Sequence, residues 1–294
     1  MTPSADRQIL ILGCGFLGNQ VAQRLTFRGI PVTGTTRTFE QLSVIRTRGA
    51  NPLQFDGVDF TELERQATRT RAVVMCIPPS DGLDERLVEL FAKHAIDNAV
   101  YVSSTSVYGD RQGALTVERD PVAPDSPKGR ARVAAEAVWT AAPFTTAVIR
   151  PAGIYGPGRS LLHRLAAGKY RLVGGGLAVT NRVHVADLAS LVVAALEKKA
   201  SGVFVGSDLA PTPQAEVVDW ICALTGWDRP PEMTLAEARV RLDKDTLGMF
   251  IQSKRIDPAA TLAALGVKLK YPSFREGLGD IWIKERQALA ALRG

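Results

Sequence analysis

The sequence predicts an α/β protein: a doubly wound parallel sheet with a smaller, mostly helical C-terminal lobe. Three observations carry this. An apolar run, Ile9 to Leu12, breaks into Gly13, Gly15 and Gly18 and is followed by an amphipathic segment. Short apolar runs then alternate with helix-like stretches of about ten to fifteen residues, the rhythm of strand–helix–strand crossovers. Beyond Ser207, Pro211, Pro213, Pro230 and Pro231 cut the chain into short helical pieces.

The first element is the strand ending at Leu12, and the turn after it has G-x-G-x-x-G spacing before a helix expected from Phe16 to about Phe27. Dinucleotide binding wants this pattern. Gly13 allows the tight turn, Gly15 lets backbone approach a diphosphate, and Gly18 lets helix and strand pack closely. The backbone through Phe16 and Leu17 would then offer free N–H groups at a positive helix end. Gly29 closes that helix, and Ile30–Thr35 reads as the second strand. Thr35, Thr36 and Arg37 stand where NAD-preferring folds keep an acid for the ribose hydroxyls. An arginine among hydroxyls favours a 2′-phosphate, so the expected cofactor is NADP, with NAD the weaker alternative.

A helix over Phe39–Arg48 and a strand over Pro52–Phe55 come next. Asp56 could meet the adenine edge or cap the helix Phe60–Thr68. Ala72–Ile77 is continuously apolar, as in a parallel strand buried on both faces. Ile77, Pro78 and Pro79 end it at the crevice. Leu83–Ala95 and Ala99–Ser103 supply the next helix and strand, and Ser103–Asp110 (SSTSVYGD) follows.

Composition limits the partners. With 46% hydrophobic residues in 294 the chain can bury a large core, and a net charge of +6 suits an anionic small molecule. No basic run is interleaved with aromatics, so no nucleic acid is expected. Cys14, Cys76 and Cys222 are too scattered for a disulfide framework or a zinc site. No signal-like core or membrane-length apolar run is visible, so the expectation is a cytoplasmic protein with no membrane partner.

The glycine motif, SSTSVYG, RPAGIYGPGR (Arg150–Arg159), VHVADLA (Val183–Ala189) and LGVKLKYPSFREGL (Leu265–Leu278) together resemble the extended short-chain dehydrogenase/reductase superfamily of NAD(P)-dependent epimerases and dehydratases. The resemblance implies a Rossmann fold. It implies that Ser104 hydrogen-bonds the reacting oxygen and that Ser103, Pro151, Gly153 and Ile154 border the cofactor; Thr105 and Ser106 could share the role of Ser104, and Tyr108 is a further catalytic candidate. The family often pairs through helices, so a homodimer is the analogous expectation. A strand-end hydroxyl bonding local backbone is the plainer reading of Ser104.

One motif is missing. The superfamily's acid/base is a Tyr followed four residues later by a Lys. Within SPKGRARVAAEAVW (Ser126–Trp139) those positions hold Lys128 and Arg132, and none of Tyr101, Tyr108, Tyr155, Tyr170 and Tyr271 has a lysine four residues on. Three readings stay open. Lys128 replaces the tyrosine, its charge disfavoured by Arg132 and the helix N-terminus. Alternatively Lys128 and Arg132 bind cofactor or substrate anions, with Arg132 also able to pair with Glu136. In the third, the helix face is solvated and the protein binds cofactor without turnover.

Ser126 and Pro127 should start that helix. Tyr155 lies in a Gly/Pro loop that suits packing, and Arg159 is a candidate partner for an acidic substrate group. His184 and Asp187 suggest a pair, but a helix start explains both. His94 and His163 fall in helix patterns, and no metal site is expected. In the C-terminal part, Gln214–Leu224, Leu235–Leu242, Ile256–Leu265 and Phe274–Leu292 read as helices and Leu247–Phe250 as loop. Lys254, Arg255, Lys268 and Lys270 suit a phosphorylated or carboxylated substrate, or a solvated face.

The expected organisation is residues 1–154 plus 181–206 as the dinucleotide-binding domain, and 155–180 plus 207–294 as the substrate lobe. The expected function is oxidoreductase or epimerase/dehydratase chemistry on a hydroxyl or keto group of an anionic metabolite such as a nucleotide-sugar. The competing reading is a non-catalytic NAD(P)-binding sensor.

Overall fold

The computed structural model describes residues 7–293. The start of the expected first domain, and most of the N-terminal stretch in which no signal-like core was expected, therefore lie outside the described residues.

Seven strands form one parallel sheet: β1 (Gln8–Leu12), β2 (Val32–Thr36), β3 (Asn51–Gln54), β4 (Thr70–Met75), β5 (Asn98–Val102), β6 (Thr145–Pro151) and β7 (Gly202–Gly206). Their order is β3-β2-β1-β4-β5-β6-β7, every neighbouring pair parallel. The order of winding reverses between β1 and β4: the chain runs outward from β1 to β3 and then crosses to β4 on the other side of β1. That is the switch point at which open α/β sheets bind ligands, outside the strands' C-terminal ends.

Period-two alternation builds a core on each face. Ile9, Ile11, Val74, Val100 and Ile149 pack with α1 (Phe16–Phe27) and α7 (Val185–Glu197). Leu10, Leu12, Val73, Met75, Ala99, Tyr101 and Val148 pack with α3 (Thr61–Ala67), α4 (Leu83–Lys93) and α5 (Pro127–Thr140). A strand covered by helices on both sides has no polar face, which is why these runs look continuously apolar. α2 (Glu40–Thr47) adds Ile45 to the first core.

The small lobe is built on α6 (Leu161–Ala166), α8 (Gln214–Thr225) and α12 (Phe274–Arg293) around Leu162, Val217, Ile221, Phe274, Leu278 and Ile281, with α9 (Leu235–Arg241) and α10 (Lys244–Ile251) packing in a second cluster of Tyr170, Leu172, Val173, Val218, Ala238 and Phe250.

Three expectations are corrected. Leu247–Phe250 is helix, because Asp243 caps α10 by accepting from the Thr246 amide at 3.0 Å. The helix expected from Ile256 starts only at Ala259, as α11 (Ala259–Leu265); Arg255–Ile256 instead pairs in parallel with Leu115–Thr116. α11 also does not belong to the small lobe. Leu262 and Leu265 join the first core, and Thr261 Oγ1 accepts from the Val205 amide of edge strand β7 at 2.9 Å.

Candidate functional site

The glycine turn leaves β1 with Gly13 at φ +89°, a conformation that a β-carbon strains. A β-carbon on Gly18 would sit 2.4 Å from the Gly13 carbonyl oxygen, so helix and turn touch backbone to backbone. One on Gly15 would meet nothing within 4 Å: the space before it is open. Gly15 is also the N-cap of α1 and offers no side-chain cap, so the first helical amides have no side-chain acceptor there. An uncapped helix start behind an open glycine is what a dinucleotide diphosphate fits.

Several expected cofactor residues act behind this surface. Thr35 is 1% exposed and its hydroxyl accepts from the Gly13 amide at 2.9 Å, so it shapes the turn and does not meet ligand. The Leu17 side chain lies in the core, leaving only its backbone for a phosphate. Asp56 is exposed and accepts from the amides of Val58 and Asp59, which holds its carboxyl below the usual range. It builds a turn and does not cap α3. Thr36 is half-buried and Arg37 exposed at the end of β2, with no ion pair for Arg37 among the described residues. Phe16 lies under Arg159, whose guanidinium carbon is 5.2 Å from the ring centroid. Arg159 is thus placed at the glycine turn. Ile77 touches the turn as well, its amide 3.1 Å from a β-carbon built on Gly13. Pro78 is exposed and Pro79 half-buried beyond it; Pro151 is buried at the end of β6, Gly153 exposed and Ile154 half-buried.

The α5 helix starts as expected, Ser126 accepting from the Gly129 amide at 3.1 Å with Pro127 first. One of its faces looks onto the end of β5. Arg132 donates to the Val102 carbonyl at 2.6 Å, and Ser103 donates to Glu136 at 2.5 Å. Glu136 does not pair with Arg132. It is taken by Arg150 of β6, at 2.6 Å, and both are buried. Arg150 also donates to the Tyr108 hydroxyl at 2.9 Å. These contacts correct two assignments. Ser103 is 3% exposed and holds the frame from within, so it is not a cofactor contact; Tyr108 is fully buried and its hydroxyl is engaged, so it cannot reach a substrate.

Ser104 is half-buried and accepts from the Ser106 amide at 3.1 Å, starting the short turn Thr105–Tyr108. The plainer reading of its hydroxyl therefore holds, yet accepting leaves its proton free to donate. Thr105 is half-buried beside it. Lys128, at the tyrosine's position, has a side chain 78% exposed and pairs with Asp245 of α10 at 3.5 Å. No tyrosine fills the gap. Burial raises the hydroxyl pKa of Tyr101, Tyr108, Tyr155 and Tyr170, and Tyr271 donates to Asp280.

His184 caps α7 through Nδ1, accepting from the Ala186 amide, and burial lowers its pKa to about 4. Asp187 accepts from the amides of Lys270 and Tyr271, tying the C-terminal run to α7. Both are structural. No motif marks Asp208, which is 1% exposed with Oδ2 unpartnered; burial raises its pKa to about 7. Burial also pushes the Cys14 thiol in the turn up to about 12, so it is a packing residue. Among the described residues no group of side chains could hold a metal, and no helix is long and apolar enough to cross a membrane.

A Rossmann sheet, a glycine cradle at its switch point and a second lobe across the crevice define a nucleotide-cofactor protein of the epimerase/dehydratase type. The profile of the NAD dependent epimerase/dehydratase family matches residues 82–208, and the chain belongs to that family. It is similar to a functionally unknown conserved protein from Silicibacter pomeroyi DSS, with TM-score 0.85 and 30% identity over 95% of this chain and 99% of that one. It is 29% identical to Protein YeeZ of Escherichia coli K12 over 90% of this chain and 97% of that protein. Over 45% of each chain it is 35% identical to a 3-diazoavenalumate denitrifying reductase of a Streptomyces species.

Proposed function

We propose that the protein is an NADP(H)-dependent oxidoreductase or epimerase acting on a hydroxyl or keto group of a small anionic metabolite such as a nucleotide-sugar. The observation that carries this is the open, uncapped cradle at Gly15 on the same sheet edge as the free Ser104 hydroxyl. Residues 13–18 would hold the diphosphate with Arg159 above it, and Arg37 with Thr36 would take a 2′-phosphate. Arg132, fixed on the Val102 carbonyl and free of a carboxylate, would meet the ribose at the reacting end. When bound, the cofactor supplies hydride exchange at nicotinamide C4. Ser104 donates to the oxygen on which charge develops, with Thr105 beside it. Of the basic residues in the C-terminal part, the exposed Arg255, Lys268 and Lys270 would meet the substrate anion.

Titrating NADPH and NADH against tryptophan fluorescence tests the cofactor assignment. NADPH should bind at least about tenfold tighter, and Arg37→Asp should erase the difference. Equal affinities in the parent protein would refute the NADP preference.

The missing tyrosine supports a second reading, a sensor that binds the cofactor without turnover. Screening hydroxy and keto compounds for a change in nicotinamide absorbance, and nucleotide-sugars for epimerised product, separates the two.

A further inference from the structure

A proton carrier working near neutral pH needs a group whose charge is disfavoured, and the tyrosine position does not provide one: Lys128 is solvated and faces a carboxylate. The small lobe does provide one. Lys254 is only 8% exposed, and its amine makes a single contact, to Gln252 Oε1 at 3.4 Å, with no ion pair among the described residues. A buried ammonium without a counter-ion is costly, so the neutral amine is favoured. Burial lowers its pKa, and the charged groups that face it, Asp125 and Asp110, act against that shift.

The placement of Lys254 is fixed from three sides. Its amide donates to Val179, and Asn181 bonds both the Lys254 carbonyl and the Ile256 amide. The Ser253 amide donates to Asp110, just past the Ser104–Tyr108 turn, while the Ser253 carbonyl accepts from the Arg111 and Gly113 amides. The Gln252 side chain donates through Nε2 to Asp125 at 2.8 Å, directly before the Ser126 cap of α5. The lysine thus stands where the small lobe meets both the turn that carries Ser104 and the helix start where the tyrosine is missing.

We propose that Lys254 is the proton donor and acceptor for the substrate's hydroxyl/carbonyl oxygen. This rests on the oxidoreductase reading above. In oxidation the neutral amine takes the hydroxyl proton and becomes an ammonium as the C–O bond becomes C=O. The carbon's hydrogen leaves with its electron pair as hydride to the nicotinamide. Reduction returns both.

The test is ¹⁵Nζ NMR of lysine-labelled protein saturated with NADP⁺, titrated with pH and assigned with Lys254→Arg. Lys254 should lose its proton below the ordinary lysine value of about 10.4. Titration at or above that ordinary value would overturn the proposal. On any compound the absorbance screen returns, Lys254→Arg should keep NADPH affinity but lose about a hundredfold or more in kcat. Parent-like turnover with arginine would make Lys254 a structural cation and overturn the proposal as well. If the parent binds no NADPH, the cofactor reading itself fails, and this inference falls with it. Bound NADPH with a normal Lys254 refutes only the lysine.

Discussion

Around Gly13–Gly18 the crevice wall is backbone: a left-handed glycine, a carbonyl 2.4 Å from where a β-carbon would stand, and helix amides with no side-chain cap. Opposite it, at the end of β5, at α5 and at the small lobe, the proposed site is made of side chains: Ser104, Arg132, Lys128 with Asp245 and, on the proposal above, Lys254. Backbone geometry is set by glycine placement and leaves little room for change. The side-chain wall rests on a buried frame, Ser103–Glu136–Arg150–Tyr108, whose outward residues can be exchanged without disturbing the strands. On the proposal above, the fold keeps its cofactor cradle while the proton carrier stands on another element.

The largest effect should come from the frame. Glu136→Ala leaves the Arg150 guanidinium buried without its carboxylate and should cost about 3–5 kcal/mol in chemical denaturation. A loss below about 1 kcal/mol would mean that the two walls do not share that support. Next is Gly18→Ala, whose methyl collides with the Gly13 carbonyl: about 1–3 kcal/mol of stability should go, together with NADPH binding. Normal binding and stability would show that the turn can relax.

Asp208 gives a pH signature in the small-lobe half. Its folded-state pKa, about 7, lies above the ordinary carboxylate value of 3.8, so its contribution is fully present below about pH 4 and disappears as pH rises through 7. The melting temperature of Asp208→Asn relative to the parent should accordingly rise between pH 4 and pH 7 to 8. A pH-independent difference would contradict the buried carboxyl with its unpartnered Oδ2. The smallest effect belongs to Lys128→Ala, which breaks an exposed pair and should change stability by at most about 1 kcal/mol. If turnover collapsed in that variant while Lys254→Arg remained active, the proton carrier would belong on α5.

The backbone wall was legible in the sequence because its signals are local. Gly13, Gly15 and Gly18 lie within six positions after an apolar run, and the strand–helix rhythm follows from the same short-range periodicity. The side-chain wall was less so. Adjacency to Ser104 suggested Tyr108 as an active hydroxyl, yet the turn buries it beneath Arg150. A one-turn spacing suggested that Glu136 pairs with Arg132, but a strand arginine fourteen residues away makes the better fork. Thr35 stood at the end of the right strand with its hydroxyl aimed inward. Lys254 showed only as one basic residue among several, because its burial depends on residues near 110, 125 and 180 meeting around it.

The account stands on backbone holding a dinucleotide diphosphate at Gly15, and calorimetric titration of NADPH into the parent and Gly15→Ala tests that directly. A methyl there meets open space in the protein alone but fills the room a diphosphate needs, so the variant should melt like the parent and bind at least about tenfold more weakly. Equal NADPH affinity in the two proteins, or no binding by the parent, would contradict it.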